Sequence, residues 1–500
     1  MHSLFSTPRF DNRFAGLGQR FYSRLPPTPV AQPELIRVNA ALARELGIDP
    51  DWLASEAGIA AVAGNSVPAG AEPLAAVYAG HQFGSWNPRL GDGRALLLGE
   101  VVDPQGRRWD IQLKGSGPTP YSRGGDGRAP LGPVLREYLV SEAMAARGIA
   151  STRALAAVTT GEPVYRETVL PGAVLARVAR SHIRIGSLEY FAARQDEEAL
   201  RLLADHVIER HYPAASEADN PYLALLDGVV ARQAELIAQW QLSGFIHGVM
   251  NTDNMLLSGE TVDYGPCAFM DFFDPDAVYS SIDHGGRYAY RRQPAIAHWN
   301  LMCLAQALLP LLGADREACA EAAGEVLDAF AERFTAAYQA GLNRKLGLNR
   351  KPNLTAVGSD AAQLGAELFR LMAAERSDFT LTFRRLAERA NPDHEAGVAQ
   401  LFELPAAFSE WLQQWQQLLR DDDCSDRVSR AGMLSANPVY IPRNHLVEEA
   451  LSAAAGQGDL APFHRLVDIL AQPCRYLPEN ARYAMPPEPE QVVTATFCGT

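Results

Sequence analysis

The sequence is poor in cysteine and in positive charge, and each shortage excludes a class of protein. Its 500 residues include six cysteines and no C-x-x-C pair, which argues against a zinc ribbon and against a dense disulfide framework. Lysine and arginine total 45 against 59 acidic residues, for a formal net charge of -14. Nucleic-acid binders normally carry a basic surplus. We therefore expect a protein of a reducing compartment with no nucleic-acid partner.

Long uninterrupted apolar runs are scarce as well. Arg9, Asp11 and Arg13 lie where a signal peptide would need an unbroken apolar segment. The most apolar long stretch, residues 299–314, is interrupted by Pro310 and by polar residues and is short for a helix that spans a bilayer. These features predict a cytoplasmic location and no membrane partner. We also expect the protein to be a monomer.

What the sequence does have is an ordinary globular composition, with 47% hydrophobic and 21% charged residues. A chain of 500 residues exceeds what one small core usually fills, so we expect more than one lobe. Strand-like patterns precede helix-like patterns, which predicts an α+β protein. Its predicted parts are an N-terminal arm at residues 1–75, a strand-rich lobe at 76–186, and a helical lobe with a C-terminal extension and tail at 187–500.

Local patterns give the main elements of these parts. Residues 95–102 and 108–114 flank an Asp-Pro-Gln-Gly turn and predict a hairpin. Pro133 is suited to the first turn of a helix that Gly148 would stop. Further strands are predicted near residues 154–159, 164–169 and 174–178, and further helices near residues 34–46, 197–211 and 221–242.

The most informative segment runs from Phe245 to Leu257, reads FIHGVMNTDNMLL, and is soon followed by Asp263-Tyr-Gly. A polar loop between apolar ends, and then a short turn, would bring Asp253, Asn254 and Asp263 together. Their carboxylate and amide oxygens suit Mg²⁺ held on nucleotide phosphates. The alternative is that each of them only stabilises a turn or a strand end.

A lysine and a glutamate form the second pattern. Lys114 ends a predicted strand on its polar side, and Glu137 shares a helical face with Val140 and Met144. A glutamate in such an apolar setting needs a cationic partner, which Lys114 would supply. The alternative is that both side chains are exposed to water.

Glycine and arginine residues form the third pattern. Glycine lets backbone N–H groups approach phosphate oxygens, and neighbouring arginines add paired donors, although short Gly-Asp-Gly turns more often connect hairpins. Several arginines that converge on one cleft of an acidic protein would imply an anionic ligand, whereas a solvated arginine is the alternative for each. The residues concerned are Gly91, Gly93 and Arg94 in a first turn, Asp126 and Gly127 in a glycine-rich loop, and Arg177 and Arg184 where strands give way to helices.

The order of these parts is that of a protein kinase: glycine turn, strand lysine, helix glutamate, loop asparagine and Asp-aromatic-Gly. One part differs. The kinase pattern places its base aspartate five residues before the asparagine, and Val249 occupies that position here. Asp253 stands immediately before Asn254 instead, so a kinase prediction from motif order alone would fail.

This combination resembles the selenoprotein O family of kinase-like proteins, also called the YdiU family, over nearly the whole chain. The resemblance implies a bilobal protein-kinase-like fold that binds ATP in a reversed orientation. It also implies transfer of AMP to Ser, Thr or Tyr hydroxyls of protein substrates, with release of pyrophosphate. The motifs that carry it are Tyr78-Ala-Gly-His-Gln-Phe-Gly84, Asp110-Ile-Gln-Leu-Lys-Gly-Ser-Gly117, His247-Gly-Val-Met-Asn-Thr-Asp-Asn-Met255, Asp263-Tyr-Gly-Pro-Cys267, and Asn437-Pro438 through Ile441-Pro-Arg-Asn-His445.

The resemblance also assigns residues. It implies that Asp253 is the proton acceptor, that Asn254 and Asp263 hold Mg²⁺ or Mn²⁺, and that Glu137 pairs with Lys114. The positions that match nucleotide contacts are Gly91, Gly93, Arg94, Lys114, Asp126, Gly127, Arg177, Arg184 and Asp263. Three other functions stay open: phosphoryl transfer with Asp253 as a displaced base, uridylyl transfer with UTP and Mn²⁺, and a pseudokinase scaffold that binds nucleotide without catalysis.

The resemblance draws attention to one cysteine near the C-terminus. Some members of the family carry selenocysteine there, and Cys498 occupies that neighbourhood here. Cys267 follows Asp263 by four residues, so a disulfide between Cys267 and Cys498 would tie the tail over the site. The alternative is that both are unpaired thiols.

Overall fold

The computed structural model describes residues 7–348, 358–391, 397–421 and 427–497. Its strands are β1 (Tyr22–Arg24), β2 (Leu35–Val38), β3 (Leu74–Ala76), β4 (Gly80–Gln82), β5 (Ser85–Asn87), β6 (Ala95–Val102), β7 (Arg108–Lys114), β8 (Ala129–Pro130), β9 (Arg153–Tyr165), β10 (Val169–Ala179), β11 (Phe245–Ile246) and β12 (Ala268–Phe269). Its helices are α1 (Ala40–Glu45), α2 (Pro50–Ala54), α3 (Glu56–Ala63), α4 (Leu131–Ala146), α5 (Ile185–Ala192), α6 (Glu197–His211), α7 (Pro221–Ser243), α8 (Gln293–Leu312), α9 (Arg316–Leu346), α10 (Gly358–Ala374), α11 (Phe379–Ala390), α12 (Ser409–Asp421), α13 (Arg427–Ala436), α14 (Asn444–Gln457) and α15 (Ala461–Leu470). The protein is therefore a mixed α and β structure, strand-rich at first and helical afterwards.

One antiparallel sheet dominates the first part of the chain. Its strand order is β1-β3-β6-β7-β10-β9-β2, and β8 pairs with β10 beside this path. Because side chains alternate along a strand, Val174 belongs to the same hydrophobic cluster as Leu42 of α1 and Val62 of α3, whereas Leu175 belongs to the cluster of Leu135 of α4. The sheet is thus covered by helices on both faces. The N-terminal arm predicted at residues 1–75 is integrated in it, because β1 and β2 belong to this sheet.

Several predicted elements are confirmed and two are wrong. The hairpin of β6 and β7 and the helices α4, α6 and α7 lie where the sequence predicted them. Residues 35–38, predicted as helical, form β2 because they pair with β9. No separate strand covers residues 164–169; those residues belong to the end of β9, the turn and the start of β10. At residues 35–38 pairing with a distant strand overrides the local pattern, whereas residues 164–169 form the turn of the β9–β10 hairpin.

The second part of the chain is built around the long helix α7. Asn220 caps its start by accepting from the backbone N–H of Leu223, and Gly244 ends it in a left-handed conformation with φ of 66°. The helix packs against α8 and α9. Gly244 leads directly into β11, so the end of α7 fixes where the loop that follows β11 begins.

One segment, Tyr290–Leu312, is long and apolar enough to cross a membrane when judged by length and composition alone. It includes α8. Half of it is buried within the protein, where α8 packs against α5, α7 and α9. Core helices of globular proteins have the same composition, and the absence of a membrane partner stays a prediction.

The C-terminal motif around Arg443 connects distant parts of the chain through buried hydrogen bonds. The guanidinium is fully buried and donates to Asp271 at 3.0 Å, to Asp378 at 2.5 Å and to the carbonyl oxygen of Ala484 at 3.0 Å. Next to it, Asn444 donates to the carbonyl oxygen of Phe269 at 2.7 Å. The motif therefore joins the C-terminal helices to β12 and to the start of α11.

Replacement of Arg443 by methionine should lower the free energy of unfolding by about 3–5 kcal/mol, because two buried carboxylates would lose their shared cation. Urea denaturation followed by circular dichroism measures this change. The matched control is Arg475→Met on the exposed surface, which should change stability by less than about 0.5 kcal/mol. Equal effects of the two substitutions would contradict a special role for Arg443.

Candidate active site

A cavity of about 640 Å³ lies between the sheet and the helical part of the chain. Apart from the two cysteines, every residue that the sequence singled out for chemistry lines it. They are Gly91, Gly93, Arg94, Lys114, Asp126, Gly127, Glu137, Arg177, Arg184, Asp253, Asn254 and Asp263. The structure brings this set together, and the role of each residue in binding or catalysis stays a prediction.

Lys114 is held by two carboxylates from different parts of the chain. It ends β7, and its Nζ donates to Glu137 of α4 and, at 2.8 Å, to Asp263 Oδ1. Glu137 is buried and also accepts from Arg177 at 2.7 Å. Burial raises the pKa of Glu137, but the cations Lys114 and Arg177 lower that pKa by more. Glu137 is therefore a buried carboxylate that orients two cations in the cleft.

Asp263 is shared by three cations. Its Oδ1 accepts from Lys114 and, at 2.6 Å, from Arg177, and its Oδ2 accepts from Arg184 at 2.7 Å. Its backbone φ of 63° lies in the left-handed region, which is uncommon for a residue with a side chain. Burial acts to raise the pKa of Asp263, but the three cations outweigh it and hold the pKa well below its usual range. The side chain is therefore a carboxylate at neutral pH.

A buried histidine connects the loop that follows β11 to Asp263. The His247 ring stacks on Trp240 with centroids 5.2 Å apart, and its Nε2 donates to the carbonyl oxygen of Val262 at 2.8 Å. Burial lowers the pKa of His247, so the ring is neutral. His247 thus fixes the residue before Asp263 against the segment that leads to Asp253.

Asp253 differs from Asp263 in having few polar partners. It lies in a short 3-10 turn, Thr252–Asn254, and is buried. Its Oδ2 accepts from Gln82 at 3.2 Å, and its Oδ1 has no hydrogen-bond partner among the described residues. Burial raises the pKa of Asp253 to about 6, although Arg184 and Gln82 act to lower it. A carboxyl group whose pKa is about 6 suits a proton acceptor.

Asn254 completes a set of oxygen ligands. Its Nδ2 donates to the carbonyl oxygen of Val249 at 2.9 Å, which leaves the amide oxygen for a ligand. Val249 has an apolar side chain, so the position of the kinase base cannot accept a proton. Asn254 and Asp263 both line the cavity, and an amide oxygen with a carboxylate fits the preference of Mg²⁺ or Mn²⁺ for oxygen ligands. The residues present therefore fit a hard divalent ion.

The first glycine turn packs against the glycine-rich loop. Gly91 has φ of 136°, and a Cβ placed on it would lie 2.5 Å from the ring of Tyr121. The Ser122 hydroxyl donates to the carbonyl oxygen of Gly93, and Arg94 lines the cavity beside them. The two glycine-rich pieces thus form one wall of the cleft.

Arg166 is a cation of this wall that sequence reasoning missed. It donates to both oxygens of Asp126, at 2.9 and 3.0 Å, and both residues line the cavity. Beside them, Gly127 lies so close to Gly117 that a Cβ would be 2.0 Å from its carbonyl oxygen. The only sequence signal of Arg166 is a positive charge in a hairpin turn, which is common on any protein surface.

The hairpin of β4 and β5 covers the loop that follows β11. Its contact with this loop was not predicted from the sequence. The backbone N–H of His81 donates to the Thr252 hydroxyl at 2.8 Å, and that of Phe83 donates to Asn251 Oδ1 at 2.9 Å. A Cβ on Gly80 would lie 2.6 Å from Asp253 Oδ1. The motif Tyr78 to Gly84 carried the family resemblance, and its Gly-His-Gln step was the available signal. Its position over Asp253 makes Gln82 a candidate positioning residue.

Of the two cysteines of the predicted disulfide, only Cys267 lies within the described residues. Cys267 is buried, and its thiol donates to the carbonyl oxygen of Tyr264 at 3.3 Å. Cys498 lies outside the described residues. The pairing of Cys267 with Cys498 stays a prediction.

Comparison with known proteins agrees with the resemblance. Residues 4–471 match the family described as Protein adenylyltransferase SelO. A Protein nucleotidyltransferase YdiU from Rhodopseudomonas palustris (strain BisB5) is 58% identical over 492 residues, covering 98% of this chain and 99% of the relative. Proteins of the same name from Bradyrhizobium sp. (strain BTAi1 / ATCC BAA-1182) and Methylorubrum extorquens (strain PA1) are also 58% identical, over 491 and 498 residues, with the same coverage. The chain therefore belongs to the SelO family of protein nucleotidyltransferases.

Proposed function

We propose that this protein transfers AMP from ATP to Ser, Thr or Tyr hydroxyls of protein substrates and releases pyrophosphate. The sheet with α4 would be the nucleotide-binding lobe of a kinase-like bilobal fold, and the helices from α5 onward would form the second lobe. We also propose that the enzyme acts in the cytoplasm as a monomer. The family assignment supports nucleotidyl transfer in general, and the geometry of the cleft supports the finer steps.

The observation that carries the proposal is the difference between Asp253 and Asp263. Asp263 is held as an anion by three cations, whereas the Asp253 side chain accepts a hydrogen bond from neutral Gln82 and has a pKa raised by burial to about 6. Two carboxylates with such different environments suit two roles. Asp253 would accept the proton of the attacking hydroxyl, and Asp263 would serve as a metal ligand.

The cations of the cleft would bind the triphosphate. Lys114, Arg177 and Arg184 already face one anion, Asp263, so they can share their donors with phosphate oxygens. Asn254 and Asp263 would hold Mg²⁺ or Mn²⁺. When bound, that ion would neutralise charge that develops on the departing pyrophosphate. Arg177 and Arg184 would contribute fixed positive charge to the same oxygens.

Labelled ATP tests the proposal directly. The protein is incubated with a protein acceptor and ATP labelled on either the α- or the γ-phosphate. We expect covalent label only from the α position, since AMP retains the α-phosphate. Label from the γ position would show a kinase, and label from neither would favour a scaffold without catalysis. A parallel reaction with α-labelled UTP and Mn²⁺ measures uridylyl transfer under the same conditions.

Gln82→Met should shift the acid limb of the activity profile to higher pH. The hydrogen bond from Gln82 lowers the pKa of Asp253, so its loss should raise that pKa above about 6. A hydrogen bond worth about 1 kcal/mol corresponds to a shift of roughly 0.7 pH unit. AMP transfer measured between pH 5 and 8 tests this. The exposed Gln472→Met is the control, and identical profiles of the two variants would contradict the role of Gln82.

A further inference from the structure

A second cavity of about 630 Å³ adjoins the β4–β5 hairpin. His81 and Trp86 of the hairpin line it, together with residues of α5 and α8. Consecutive strand residues point to opposite faces, and accordingly His81 faces this cavity whereas Gln82 lines the cleft of Asp253. The hairpin thus separates the candidate active site from a pocket that the proposed reaction does not use.

Three metal-ligating side chains meet at the wall of this second cavity. They are His81 of β4, Glu189 of α5 and Cys303 of α8, and one ligand atom from each lies within 4.8 Å of the others. An imidazole nitrogen, a carboxylate oxygen and a sulfur form a ligand set typical of Zn²⁺ and related transition ions. Mg²⁺ prefers oxygen ligands alone, so this set differs in kind from the oxygen ligands of the cleft.

The cluster has polar atoms available for an ion. The Glu189 side chain is only 5% exposed, and its Oε1 lies 2.7 Å from His81 Nδ1. Burial raises the pKa of Glu189, whereas Thr252 and His81 act to lower it. Burial of a carboxylate is costly, and a cation bound to it would compensate that cost. The His81 ring is oriented by Trp86 and Trp299, with centroids 4.9 and 5.3 Å away.

Charge balance also fits a divalent ion. Burial raises the pKa of the Cys303 thiol to about 12, so the sulfur is protonated until a metal displaces that proton to solvent. The resulting thiolate and the Glu189 carboxylate carry two negative charges, which one divalent cation neutralises. With a ring nitrogen of His81 as the third ligand, a fourth position would be left for water or for an exogenous ligand from the cavity.

We propose that His81, Glu189 and Cys303 form a site for a transition-metal ion of the Zn²⁺ class, separate from the metal site of the cleft. Occupation of the site ties β4 to α5 and α8. Because Gln82 follows His81 and donates to Asp253, a bound ion would hold the hairpin in the position that orients this carboxyl group. The site is thus a positioning device beside the active site, and its existence does not depend on the nature of the group transferred.

Co²⁺ provides a spectroscopic test on the full chain without an affinity tag, because a thiolate bound to Co²⁺ gives a charge-transfer band in the near ultraviolet. We expect the wild-type protein to develop this band with a single equivalent of Co²⁺. Zn²⁺ should abolish the band by displacement, and excess Mg²⁺ should leave it unchanged. Absence of the band in the wild-type protein overturns the proposal, whatever the activity of the enzyme.

Variants identify the ligands. Cys303→Ser should lose the band, whereas the control Cys474→Ser, at a half-buried cysteine elsewhere, should retain it. Asp263→Asn should also retain it, because Asp263 belongs to the cleft. A band that survives in folded Cys303→Ser overturns the assignment. If Cys303→Ser does not fold, His81→Gln decides: we expect Co²⁺ affinity to fall at least about tenfold, and unchanged affinity overturns the proposal.

Discussion

Replacement of Asp253 by asparagine should lower AMP transfer by about 10²- to 10⁴-fold, the usual contribution of a positioned proton acceptor. Asparagine preserves the size of the side chain and cannot accept the proton. The loss should appear in kcat, while binding of ATP changes little, because nucleotide contacts are made by other residues. Steady-state labelling and a separate ATP-binding assay measure the two effects. Asp219→Asn, an exposed change of the same kind, is the control.

The same residue sets the expected pH dependence. Asp253 must be deprotonated to accept a proton, and burial raises its pKa to about 6. Wild-type activity should therefore be half-maximal near pH 6 and fall about tenfold for each further unit of acidification. The residual activity of Asp253→Asn should lack this limb. If the variant retains both the rate and the pH profile of the wild type, Asp253 is not the proton acceptor.

Replacement of Asp263 by asparagine should have the second large effect, a loss of AMP transfer of about 10²- to 10³-fold. The substitution removes a proposed metal ligand and the anion that orders Lys114, Arg177 and Arg184. Unlike Asp253→Asn, this variant should also bind Mg²⁺ or Mn²⁺ with ATP more weakly. Titration of Mn²⁺ in the presence of ATP distinguishes the two variants.

Asp263→Asn should also reduce stability, by about 1–3 kcal/mol, because buried Arg177 and Arg184 and partly buried Lys114 lose a charged acceptor while Glu137 remains. The pKa of Asp263 is lowered in the folded protein, so its stabilising contribution is present at neutral pH. That contribution is lost only as the pH falls below the ordinary carboxyl range near 4. Urea unfolding at pH 7 measures the change. Asp468→Asn, whose carboxylate pairs with Arg37 on the surface, should change stability by less than about 1 kcal/mol.

Local sequence patterns predicted elements where local signals were strong. The alternation in β7 and the proline and glycine that bound α4 and α7 gave elements close to those observed. They failed at residues 35–38, because pairing with β9 decides that this segment is a strand. The pairs β2 with β9 and β7 with β10 join segments far apart in sequence, and no local signal reports such pairing.

The residues of the cleft were likewise predicted in part: the sequence indicated several of them, but not their long-range contacts. Residue types and spacing alone pointed to Asp253, Asn254, Asp263, Lys114 and Glu137, because a charged or amide side chain within an apolar pattern has few structural uses. The position of Gln82 over Asp253 and the pairing of Arg166 with Asp126 were not predicted. These contacts join residues 171 and 40 positions apart. A short pattern cannot specify them.

The sequence by itself determined the family, the composition of the two halves and the residue types available for catalysis, because these depend on which amino acids occur and in what order. Only the tertiary structure decided that Asp263 is held as an anion while Asp253 titrates near pH 6. It also decided that His81, Glu189 and Cys303 converge at one cavity wall. Burial and charge neighbours set these properties, and both arise from packing between distant parts of the chain.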